Sequence, residues 1–93
     1  MENNLYSEYE IKIELICSRY VGMYKNEFPE ERTFDTAKEF MDREYEKYRK
    51  EVARVGIDIM HASGLNSDLS KKIINQNAWS IGKLFTDVMN LSL

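Results

Sequence analysis

The sequence predicts an all-α protein: a three-helix bundle with a long central helix, forming a single domain over residues 1–93 and associating as a helical homodimer. Apolar residues recur at helical spacing in three blocks. Pro29 and Gly64 punctuate the chain between those blocks. The one strand-like alternation, YEIKIEL at 9–15, ends at once where Ile16 and Cys17 follow Leu15.

The first helix is expected from about residue 5 to 26. Tyr6, Tyr9, Ile13, Ile16, Cys17, Tyr20 and Tyr24 share one of its faces at 3.6-residue spacing. Ile11, Leu15, Ser18 and Gly22 form a second, narrow stripe on the opposite face, which a helix covered on one side would not need. Pro29 then breaks the helix, because proline cannot donate to the ladder and pushes its predecessor toward extended geometry.

The second helix is expected over 36–63. Asp35 or Thr36 supplies its cap, Thr36 pairing with Glu39 in a capping box. Phe34, Ala37, Met41, Tyr45, Tyr48, Val52, Val55, Ile59 and Ala62 alternate spacings of three and four, as in a coiled-coil seam. Glu39/Arg43, Glu46/Lys50 and Lys47/Glu51 are placed for i,i+4 support on the outer face. The final stretch, VARVGIDIM, is apolar nearly all round and should be buried. Gly64 ends the helix after a run of about 40 Å. A helix that long protrudes from so small a domain, and the protruding part suits a homodimer.

The third helix is expected over 67–90 behind an Asn66 or Ser67 cap, with Ile74, Asn77, Ala78, Ile81, Leu84, Phe85, Val88 and Leu91 facing inward.

Composition narrows the function. At 43% hydrophobic and 31% charged the chain is globular rather than disordered. A net charge of −3 argues against a surface devoted to gripping phosphates. Cys17 is the single cysteine, so no intrachain disulfide forms, and a cytoplasmic setting is expected. The opening MENNLYSEYE is acidic, and no run approaches the roughly 20 apolar residues of a membrane span, so neither export nor a membrane partner is expected. The Asn, Lys, Ile and Tyr content is compatible with an AT-rich bacterial or phage gene.

Catalytic and cofactor chemistry finds little footing. Cys17 lies on an apolar face, where a thiol acts as a small hydrophobe, and His61 is the single histidine. Asp58 and His61 form one Asp-x-x-His pair, whereas a di-metal bundle needs two such motifs and further carboxylates, for which Glu10 and Glu14 are remote candidates. The four glycines are scattered, so no phosphate loop exists. The expectation is a protein that is not an enzyme and holds no cofactor or metal.

Two binding readings remain. Trp79 points away from Ile81, Phe85 and Val88, beside Asn75, Lys83 and Thr86. It either covers the end of the bundle or anchors a protein partner, since a tryptophan in a partly polar setting is a typical interface hot spot. The leading reading is a protein-interaction module, a small regulator or inhibitor, using Trp79, Lys83, Asn75, Ile11 and Leu15. The alternative rests on GLNSDLSKKIINQNAW (64–79), which resembles the second half of a phage-repressor-type helix-turn-helix. That resemblance implies that Ser67, Ser70, Lys71, Lys72 and Asn75 contact DNA, since such side chains hydrogen-bond base edges and phosphates. The chain departs from that pattern where Ser70 replaces an inward aliphatic residue, where Met60 replaces a small one, and in the length of the preceding helix.

Overall fold

A computed structural model describes residues 2–92, with side-chain environments from Asn4 onward. Met1 and Leu93, the ends of the expected domain, lie outside the described residues. Three helices run in order: α1 (Glu2–Glu27), α2 (Phe34–Ala62) and α3 (Ser67–Asn90), each packed on the other two. α1 and α3 run parallel, with Tyr9 meeting Asn77 and Tyr24 meeting Ser92, while α2 runs back between them with Tyr20 meeting Glu51.

The helices are nearly matched in length, at 26, 29 and 24 residues. At about 1.5 Å per residue they measure roughly 39, 43 and 36 Å, and the molecule spans 46 × 19 × 17 Å. α2 is therefore covered along its length and does not protrude. α1 begins at Glu2, three residues before the expected start near residue 5, and its added turn lengthens the cover over α2.

Three helix ends differ from expectation or sharpen it. α2 is capped by Thr33, extended at φ −123° and ψ 173°. Its hydroxyl accepts from the Thr36 amide at 3.3 Å, and the Thr36 hydroxyl accepts from the Thr33 amide at 2.9 Å. Neither Asp35 nor Glu39 takes part in this box, because the Thr33 hydroxyl already occupies the first-turn donor. At the other end, Gly64 (φ 68°) and Leu65 (φ 60°) both adopt the left-handed region. The Leu65 amide reaches the Met60 carbonyl at 2.9 Å and the Gly64 amide reaches His61 at 3.0 Å, which is a Schellman stop. Asn66 then caps α3 by accepting from the Leu69 amide at 3.0 Å.

The core is rich in tyrosine. Tyr9, Tyr20, Tyr24 and Tyr48 are buried with Ile13, Cys17, Phe40, Val52, Ile59, Ile73, Leu84 and Val88. On α2 the buried stripe is Ala37, Phe40, Met41, Glu44, Tyr48, Val52, Gly56 and Ile59. Phe34, Tyr45 and Ala62, expected on the seam, are exposed, and Val55 is half-buried. A helix gripped by two neighbours needs a wider stripe than a two-stranded seam, so Phe40 and Glu44 on the α1 side join it. The burial expected at the end of α2 is partial, since Gly56 and Ile59 are inside while Ile57 is 45% exposed.

None of the three expected i,i+4 pairs on α2 forms. Arg43 reaches Glu27 of α1 and the buried Glu44, while Glu51 takes hydrogen bonds from Arg19 and Tyr20 of α1. Glu46 pairs with Arg49 instead. Where a second helix brings a partner within reach, the interhelical contact wins over the one along the helix. At Gly56, α2 lies close against α3: a Cβ there would lie 2.8 Å from Asn77 Nδ2 and 3.0 Å from Ile73 Cγ2.

Candidate interaction surface

Four buried tyrosines bring four hydroxyls into the interior, and each needs a partner, since an unpaired buried hydroxyl costs about 1–3 kcal/mol. α3 supplies several of them. Tyr9 donates to the Asn77 side chain, and Tyr48 donates to the Ser80 carbonyl at 2.7 Å. Tyr24 contacts Ser92 Oγ at 2.5 Å and Thr36 Oγ1 at 2.8 Å. Tyr20 turns to Glu51 of α2. The Ser80 hydroxyl is satisfied by the Gln76 carbonyl at 2.8 Å.

This demand sets the rotation of α3 about its axis. The inward face is Leu69, Ile73, Ser80, Leu84 and Val88. Of the residues expected inside, Leu84 and Val88 are buried and Asn77, Ile81 and Leu91 are half-buried. Ile74 is 60% exposed, Phe85 47% exposed, and Ala78 also faces out. Asn77 and Ser80 sit on the core side, where Tyr9 and Tyr48 reach them, and Ile74 and Phe85 are left on the shoulder of α3.

At ~100° per residue, the outward arc of α3 runs from Ile74, Ile81 and Phe85 through Ala78 and Gly82 to Asn75, Thr86 and Trp79. Met41 and Tyr45 of α2 line a shallow groove with Ile81, Gly82 and Phe85 on the first edge. Trp79, on the second edge, is 75% exposed and lines another depression with Ala78, Gly82 and Lys83. Trp79 therefore does not close the bundle. The segment IINQNAWSIG, residues 73–82, carries no charged residue in a chain that is 31% charged. That gap was visible in the sequence, and it is the signal that inward-facing periodicity concealed.

Lys83 does not disturb this neutrality. Its ammonium pairs with Asp87 at 2.9 Å and lies 3.7 Å from the Cys17 sulfur. The hydrogen bond to Asp87 raises the affinity of Lys83 for its proton. Burial pushes the Cys17 thiol above its ordinary range, and the opposing pull of Lys83 does not overcome it. A buried thiol held protonated is a poor nucleophile.

Ile11 and Leu15 are 60% and 65% exposed on the outer side of α1, so that stripe is uncovered in the monomer. It is narrow and set among Glu10, Lys12 and Glu14. The structure does not merge it with the α3 arc, since the two point in different directions. Of the residues assigned to DNA, Ser67, Lys71, Lys72 and Asn75 are exposed, with Lys72 Nζ 5.6 Å from the centre of the Tyr6 ring. Ser70 is different: its hydroxyl is buried and has no hydrogen-bond partner among the described residues. A helix of about 36 Å fits a body 19 Å wide only along the long axis. α3 thus lies alongside α2, not across it at the ~90–120° of a helix-turn-helix pair.

Asp58 pairs with Arg54 at 3.3 Å, and Glu10 and Glu14 line a cleft between α1 and α3 with Gln76, Ser80 and Lys83. Among the described residues no group of three or more His, Cys, Asp or Glu side chains is arranged to hold a metal ion. No helix among them is long and apolar enough to cross a membrane. No family model matches the chain, and no curated protein or solved structure matches it.

Proposed function

We propose that the protein is a non-enzymatic interaction module, a small regulator or inhibitor that works in the cytoplasm by docking on another protein chain through the outward arc of α3. The observation that supports this reading is the uncharged stretch 73–82, which holds Ile74, Ala78 and Trp79 in solvent on an otherwise charged molecule. Contiguous apolar exposure of this kind marks contact surfaces. Trp79 serves as the anchor, Asn75 and Lys83 as its polar rim, and Ile11 and Leu15 as a secondary contact. The alternative, DNA binding through Ser67, Ser70, Lys71, Lys72 and Asn75, is less favoured because Ser70 is turned inward and α3 lies flat along the bundle.

The test is capture of partners from host extract on immobilised wild type, Trp79→Ala and Ala78→Glu protein. Both variants should retain wild-type helicity by circular dichroism and lose captured partner by roughly tenfold or more. Undiminished capture by both would remove α3 as the docking face. Duplex binding that weakens steeply with salt, and with Lys71→Ala and Lys72→Ala, would favour the DNA reading.

A further inference from the structure

The outward arc of α3 has an internal symmetry. Ile74, Ala78, Ile81 and Phe85 are spaced four, three and four residues apart, a pattern unchanged when read backwards. Laid antiparallel against itself, such a helix places Ile74 opposite Phe85 and Ala78 opposite Ile81, both pairs centred between residues 79 and 80, with Gly82 next to Ile81 on the outward arc. The small residues Ala78 and Gly82 let a second helix approach closely, and the bulky ones flank the contact as ridges beside a groove. Under this two-fold relation the edge carrying Ile74, Ile81 and Phe85 meets the same edge of its mate, so large apolar groups meet large apolar groups.

Charge points the same way. Two identical surfaces bring identical charges together, which penalises any charged patch at a two-fold contact. Residues 73–82 contain none, and Lys83 is neutralised by Asp87 on its own helix. The outer faces of α1 and α2 fail this requirement, with Glu10, Lys12 and Glu14 on one and Glu46 and Lys50 on the other.

We infer that the occupant of this face is α3 of a second copy of the chain, packed antiparallel about a two-fold axis near residue 80. This rests on the docking reading above and gives that face its partner. Tyr45 and Met41, which border the groove beside Phe85, extend the contact onto α2.

The test uses the full chain in a Cys17→Ser background, with sedimentation across a concentration series and a short bis-maleimide linker. The parent protein should sediment as a concentration-dependent dimer, and Ala78→Glu should weaken the dimer by roughly 30-fold or more while keeping its helicity. A mixture of Ile74→Cys and Phe85→Cys proteins should cross-link to each other. Ile74→Cys alone should not, because its two copies lie about 16 Å apart along the helix in the antiparallel arrangement. A parent that stays monomeric, cross-linking of Ile74→Cys alone, or a dimer untouched by Ala78→Glu would each overturn the inference. A monomer that still loses host-protein capture on Ala78→Glu would overturn the self-pairing and leave the docking face standing.

Discussion

The outer faces of α2 and α3 belong to helices of similar length on the same core, yet they are built for different surroundings. Along α2 the outward positions carry Glu39, Glu46, Lys50 and Arg54, with Lys38–Asp42, Glu46–Arg49 and Arg54–Asp58 paired along the helix. Along the middle of α3 they carry Asn75, Ala78, Trp79 and Gly82. A charged face gains little from being covered, because each ion must be stripped of water before its partner repays the loss. A neutral apolar face loses by staying bare, at about 25 cal/mol per Å². This difference is what supports the proposal that the α3 side of the bundle is the one a partner covers.

The largest effect that would break this comparison lies in two adjacent isoleucines. Ile73 is fully buried and Ile74 is 60% exposed. Ile73→Ala should cost about 2–4 kcal/mol in chemical denaturation, and Ile74→Ala at most about 0.5 kcal/mol in the monomer. Equal losses would mean that the rotation of α3 described above is wrong.

Next in size is the response to alkali, which examines the tyrosine core behind that rotation. Burial, and then the hydrogen bond to Glu51, pushes Tyr20 up to about 12 from an ordinary 10.0. Burial raises Tyr9 and Tyr48 as well. The unfolded chain releases these protons near pH 10 while the folded one retains them. For Tyr20 the contribution is therefore full below pH 10 and lost as pH climbs through about 12. Denaturant midpoints should fall over that window, and Tyr20→Phe should flatten the fall. The acid side has the opposite sign. Burial would raise Glu51, but hydrogen bonds from Tyr20 and Arg19 outweigh it and hold the carboxyl below its usual 4.5. Its contribution is present above that value and disappears as pH drops through the lowered one.

The smallest effect concerns the wet face. Lys50→Glu, on the outside of α2, should change stability by no more than about 0.5 kcal/mol and leave self-association and partner capture unaltered. A Lys50→Glu variant that behaved like Ala78→Glu would erase the distinction between the two faces.

Much of the fold was legible because helix signals are local. Pro29, Gly64, Asn66 and the 3.6-residue recurrence located all three helices, and on α1 the face of Tyr9, Ile13, Cys17, Tyr20 and Tyr24 is the one that is buried. The phase of α3 was not legible from its own residues. Its apolar residues spread over two adjacent faces, and the structure buries the one with Leu69, Ile73, Leu84 and Val88, where Asn77 and the Ser80 carbonyl accept from Tyr9 and Tyr48. The wheel position of Trp79 leaves open whether it covers the end of the bundle or faces solvent, and the structure leaves it exposed. Ile74 and Phe85 carry a core-like spacing on an uncovered shoulder, so their pattern points inward where the structure leaves them exposed.

The most direct measurement is the emission of Trp79, the single tryptophan, followed over protein concentration from well below to well above the sedimentation midpoint. The spectrum should be water-exposed at high dilution, shift to the blue and lose accessibility to acrylamide as the copies pair. A spectrum that remains water-exposed and fully quenchable at every concentration would contradict it.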